Sequence, residues 1–144
     1  MNEQNYANHS RYVTGFHFIA SSILVIGAIL SVVNLWLRWS AKDEMMTPVL
    51  VVLLFTGGLF LFWFSRQFAI KAQDRAIRAE ENLRYFILTR KPLDSGITMG
   101  QIIALRFAPD DEFLSLADRA VNEKLTAKEI KQVIKQWRAD HHRA

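Results

Sequence analysis

The chain has no cysteine. That excludes disulfides, thiol catalysis and thiolate metal sites. It also lacks the short patterns that carry common chemistry. There is no glycine-rich phosphate loop, nucleophile elbow, metal-binding helix or dinucleotide fingerprint. Charge is missing from a long central stretch. Between Thr14 and Phe64 the only formally charged side chains are Arg38, Lys42, Asp43 and Glu44, all in one short segment, with a further charge open to His17. From Ser65 onward the balance changes to 15 Lys/Arg against 11 Asp/Glu. The near-zero mean hydropathy of +0.06 is therefore the average of an oil-soluble half and a water-soluble half.

Two apolar runs fill the first half. Gly15–Leu37 is 23 residues, and at a rise of about 1.5 Å per residue it covers a hydrocarbon core of roughly 30 Å. Pro48–Phe64 is 17 residues, near the short limit. It lengthens to Phe68 and Ile70 if Arg66 snorkels to the headgroups. A soluble helix would show a polar face, and these runs show none. Thr47 followed by Pro48 reads as an N-cap and a first-turn proline. A cleaved leader is not expected, because the first run is too long and Trp39-Ser40-Ala41 places tryptophan where a small residue is needed. Tyr12, His17, Trp36, Trp39, Trp63 and Arg66 fall at the run ends and are candidate membrane-interface residues.

Positive charge sets the expected orientation. Arg66, Lys71, Arg75, Arg78 and Arg84 follow the second run, Arg11 precedes the first, and the loop between them holds only Arg38 and Lys42. Both termini should face the cytoplasm. His17 and Asn34 each lie within a turn of a run end, which suits interfacial anchors or interhelical hydrogen bonds better than a proton relay. Gly27 with Ser31, and Gly57 with Gly58, are small enough for close helix contact.

Ser65–Leu88 contains no proline or glycine, so the second span should continue as a helix. Along it Ala69, Ala72, Ala76, Ala79, Leu83 and Phe86 form a heptad seam. Asp74–Arg78 and Glu80–Arg84 are potential i,i+4 pairs. The seam serves either a stalk that pairs subunits or packing onto the chain's own C-terminal helices. Beyond the breakers Lys91–Gly96, Thr98-x-x-Gln101 and Thr126-x-x-Glu129 are capping boxes. They predict short helices over 102–107 and from Thr126 onward, the latter with Ile130, Val133, Ile134 and Trp137 on one face. Between them a helix over about 111–124 is capped by Asp110 or Asp111 and faces inward with Phe113, Leu114, Ala117, Ala120 and Val121. Three helices in about 50 residues are marginal alone, so this unit should need the stalk, the membrane or a partner.

The expected fold is all-α: a segment 1–14, a transmembrane hairpin 15–70 (spans about 15–37 and 48–68, outer loop 38–47), a juxtamembrane helix 71–90 and a cytoplasmic three-helix unit 91–144. Asp140, His141 and His142 could suggest a metal, but adjacent histidines on a helix point about 100° apart. Neither metal nor cofactor is expected. Lys124, Lys128, Lys131, Lys135 and Arg138 are interspersed with acids and give no base-reading set, so nucleic acid is not an expected partner.

Several segments resemble a family of small bacterial two-span membrane proteins classed as a domain of unknown function. They are Gln4-Asn5-Tyr6 with His9, Arg11-Tyr12-Val13, Gly15-Phe16-His17, Ala79-Glu80-Glu81-Asn82-Leu83-Arg84, Gln101 through Asp110, and Trp137-Arg138-Ala139-Asp140. The resemblance covers nearly the whole chain and implies a bacterial inner membrane. With the residue reading it leads to one expectation: a non-enzymatic accessory or scaffold protein, in contact with lipids, that acts through helix–helix contacts with a membrane protein or its own copies. The alternative is a subunit of a small oligomeric channel or transporter, lined by His17, Asn34, Asp43 and Glu44.

Overall fold

In hydrocarbon every backbone polar group has to be bonded inside its own segment, and both apolar runs are helical throughout. The computed structural model describes residues 5–6 and 12–140. Helix α1, Gly15–Ala41, opens with π-helical turns over Gly15–Ala20. Helix α2, Met46–Thr89, is one uninterrupted helix of 44 residues. Both are long and apolar enough to cross a membrane. Three shorter helices follow: α3 (Met99–Leu105), α4 (Asp110–Asn122) and α5 (Ala127–Val133). The described residues are all-helical, without strands. The chain divides into an apolar unit, Tyr12–Phe68, and a unit containing Ala69 onward.

In the apolar unit α1 and the first half of α2 form the hairpin. Lys42 adopts the left-handed conformation (φ 55°) that ends α1, and Asp43 N–H donates to Arg38 O. Thr47 is not the cap of α2. The helix already starts at Met46, and Glu44, two residues before it, supplies the side-chain bonds, its Oε1 accepting from Met46 N–H (2.7 Å) and Thr47 N–H (3.2 Å). The carboxylate outranks the hydroxyl because it satisfies two free donors at once and complements the helix dipole. Pro48 still lies in the first turn, where its missing N–H costs nothing.

The second unit is built on the lower half of α2. Its core contains Ile77 of α2, Ile97, Ile102 and Leu105 around α3, Phe107, Phe113 and Leu116 leading into and along α4, and Ile130 with Ile134 at α5. Ile77 supplies apolar area that the short helices lack, as their marginal size requires. Both expected capping boxes form. Two expectations fail. Pro109, not an aspartate, is the residue before α4, and no side chain caps that helix. The last helix stops at Val133, with Ile134 extended (ψ 122°), so Trp137 is not on its face. The Glu112 carboxylate accepts from Lys135 N–H and Gln136 N–H, both at 3.0 Å, and Arg138 N–H donates to Phe107 O at 2.8 Å. These bonds draw the tail back across the unit in place of another helical turn.

Candidate functional site

The helix faces are where the candidate residues gather. In the hairpin, Gly27 lies directly under Phe55: a Cβ there would fall 2.0 Å from the ring. Gly58 is close to Leu24, with 3.1 Å from a Cβ to the side chain. Phe16 stacks on Phe62 with centroids 4.2 Å apart. Ser31 is buried and donates to Ala28 O at 2.7 Å, so its hydroxyl is satisfied within its own helix. Three of the four small residues expected to pack are thus in the interior of the hairpin. Gly57 has nothing within 4 Å of a Cβ and faces open space.

At the hairpin ends, Tyr12, Trp36, Trp39 and Trp63 are all exposed. His17 and Arg66 are half-buried. The His17 ring lies back over the start of α1, with Val13 N–H donating to Nδ1 at 3.0 Å, edge-on to Tyr12. Ser21 donates to His17 O at 2.5 Å. Asn34 is exposed. At the turn between α1 and α2, Arg38 of the last turn of α1 and Asp43 form an exposed ion pair at 2.6 Å.

In the second unit the centre is Arg84. It donates from Nε to Asp110 Oδ1 (2.7 Å) and from Nη2 to Ala108 O (2.8 Å), and it pairs with Glu81 Oε2 at 3.1 Å. Its guanidinium lies 4.2 Å above the Phe113 ring. One side chain therefore fastens α2 to the α3–α4 turn and the first turn of α4 through charge-assisted bonds. The i,i+4 pairing of Glu80 with Arg84 does not form, because Arg84 is turned towards Glu81 and Asp110. Asp74 and Arg78 likewise form no ion pair among the described residues.

Glu81 is 5% exposed. Burial pushes its carboxyl above the usual carboxylate range, opposed by the bond to Arg84 and the positive charges of Arg84 and Arg138. It borders a groove of about 630 Å³ that also meets Leu83, Ile87, Leu88, Pro109 and Arg138. Gln101 does more than cap. Its Nε2 donates to Ala120 O (3.0 Å) and Leu125 O (2.9 Å), tying the start of α3 to the end of α4. Arg106 is buried, pairs with Asp140 at 3.0 Å and lies over the Phe107 ring. Trp137 packs at a tilt against the Phe107 ring, centroids 4.9 Å apart. Lys131 approaches the same ring at 5.6 Å.

The seam residues Ala69, Ala72, Ala76, Ala79, Leu83 and Phe86 are all exposed. The face that meets the unit's own helices is the opposite one, with Ile77, Glu81, Arg84 and Tyr85. The sequence reading missed this face because polar and charged residues interrupt its apolar pattern, although their 3–4 spacing was present. Of the metal candidates, Asp140 is engaged by Arg106, while His9, His141 and His142 lie outside the described residues, as do Gln4 and Arg11. Among the described residues no group of three or more His, Asp and Glu could hold a metal ion.

The chain belongs to a family of unknown function (DUF6526), whose model matches residues 1–144. This agrees with the resemblance carried by its motifs. No curated protein and no solved structure matches it.

Proposed function

We propose that this member of the family is a non-enzymatic integral protein of the bacterial inner membrane, an accessory or scaffold that acts through helix–helix contacts. In this reading α1 and residues 46–68 of α2 span the bilayer, both termini are cytoplasmic, and the unit on the lower half of α2 meets a membrane protein or further copies of the chain. The observation that carries it is the two-sided lower half of α2. One side is fixed to the unit's own core by Ile77, Arg84 and Tyr85, while the other presents Leu83, Phe86 and Ile87 uncovered. Exposed apolar side chains grouped on a charged helix are what a contact surface requires.

Affinity purification from gently solubilised membranes, with crosslinking beforehand, tests the proposal. Recovery with a stoichiometric partner or with itself is expected. A chain recovered only as a solitary monomer counts against the contact role. Release from vesicles by alkaline carbonate counts against the membrane topology, and reporter fusions at both ends check the orientation.

A further inference from the structure

We infer that the uncovered face of α2 around Leu83, Phe86 and Ile87 pairs with the same face of a second copy of this chain, the two helices parallel and in register. The inference rests on the helix-contact reading above and names its partner.

Leu83 and Ile87 are each 59% exposed and Phe86 is 46% exposed. They sit within two turns of one another, and Ala76 and Ala79 continue the same face towards the N-terminal end. At 100° per residue Ala79, Leu83 and Phe86 point about 100° or more away from Ile77 and Arg84 and are left uncovered by the unit's own packing. Ile87 lies at the edge of the face, about 60° from Arg84, where with Leu83 it borders the groove that also meets Pro109 and Arg138. Leucine and phenylalanine supply the area; the alanines let a second backbone approach closely.

The charges beside the face identify the partner. With Ala76 and Leu83 at the first core position of the heptad, and Ala79 and Phe86 at the fourth, Arg75 occupies one flank and Glu80 the other. These are the g and e positions, and they are five residues apart. In a parallel pair, g of one helix meets the next e of its partner, so Arg75 of each copy faces Glu80 of the other. The symmetry gives two such ion pairs. Both side chains are exposed, and neither forms an ion pair among the described residues. An antiparallel pair would set g against g and e against e, like charge against like. Copies inserted with one topology send their stalks out of the same leaflet, which imposes the parallel arrangement. A shared membrane also raises the effective concentration, so a short seam of modest area suffices.

The absence of cysteine makes the test direct, because any introduced thiol is unique. Ala79→Cys and Leu83→Cys, on the face, and Lys71→Cys and Arg78→Cys, on the far side of the helix from the core positions, are oxidised in native membranes and run on non-reducing gels. The face positions should give several-fold more disulfide-linked dimer than the others. In the Leu83→Cys background, Arg75→Glu and Glu80→Arg should each lower the dimer yield several-fold, and the double exchange should restore it. Equal yields at all four positions, or a double exchange that does not rescue, overturn the parallel in-register pair. A photo-crosslinker at Leu83 separates the layers of the argument. Adducts only with a different protein overturn the second copy but leave the helix-contact reading intact, whereas adducts only with lipid, or none, overturn both.

Discussion

The hairpin and the lower unit use opposite means of holding helices together. In the hairpin the contacts between helices are steric: a ring over Gly27, a leucine against Gly58, Phe16 on Phe62. The Ser31 and Ser21 hydroxyls there bond within their own helix. In the lower unit long-range polar bonds link the elements: Arg84 to Asp110, Gln101 to Ala120 and Leu125, Glu112 to the tail. The difference follows from the surroundings each half suits. Apolar helices in an apolar solvent gain little by hiding apolar surface and associate by close packing. In water the hydrophobic effect drives a core, and polar links then fix which arrangement of short helices is adopted.

The comparison is broken most severely by removing core volume from the lower unit. Phe113 is fully buried, with Arg84 above its ring and Tyr85 edge-on at 6.2 Å. Phe113→Ala should cost about 3–5 kcal/mol. Hydrogen exchange of the protein in detergent should then show loss of amide protection in α3–α5, with protection in the hairpin unchanged. Loss in both halves would mean that they fold as one cooperative unit.

Next in size is the polar centre. Arg84→Ala leaves Glu81 buried without its cation and removes two bonds, one to Ala108 in the α3–α4 turn and one to Asp110 in α4. A loss of about 3 kcal/mol is expected, as for breaking a buried ion pair. Arg84→Lys should recover only part of it, because an ammonium cannot reproduce the guanidinium fork. Equal stability of the lysine variant and the parent, by thermal unfolding, would show that charge alone matters here.

The hairpin has its own internal contrast. Gly27→Ala pushes a methyl into the Phe55 ring and should cost about 1–3 kcal/mol. Gly57→Ala meets open space and should be neutral or stabilising by up to about 1 kcal/mol, the helix preference of alanine over glycine. The stability of the hairpin to increasing sodium dodecyl sulfate orders the two. Destabilisation by Gly57→Ala would show that this face is occupied in the membrane.

How much of this was legible in the sequence also divides by region. The two long helices follow from uninterrupted apolarity and the absence of breakers, and Gly27 and Gly58 from size alone. Both capping boxes were readable because their partners are three residues apart. The interior of the lower unit was not. Arg84 finds Asp110 at a separation of 26 residues, and Glu112 finds Lys135 at 23. No local pattern specifies such pairs. Trp137 continued the helical spacing of Ile130 and Ile134, yet tertiary bonds to Glu112 and Phe107 end that helix first. On α2 the alanine seam was conspicuous because it is regular, while the face used inside the unit is marked by Ile77 and Tyr85 with charges between them.

The smallest expected effect concerns Glu81, where the two means of cohesion compete at one side chain. Its burial favours the protonated acid, and Arg84 and Arg138 favour the carboxylate; burial prevails, so the folded-state pKa is above the usual 4.5. The sign is then fixed. Between the folded and unfolded pKa values the native state binds more protons, so this group contributes stability as pH falls through its raised value, complete once pH is below the unfolded one. As pH rises back through that window the contribution is lost. Glu129 and Glu123 act in the other direction, their pKa values held down by bonds to Thr126 and to Arg119. The total pH profile therefore mixes both signs, and the difference between the parent and Glu81→Gln isolates one. Relative to the variant, the parent should gain thermal stability as pH is lowered from neutral towards 4.5. The opposite slope would mean that Arg84 holds Glu81 ionised, and that the ionic link, not burial, sets the state of this helix face.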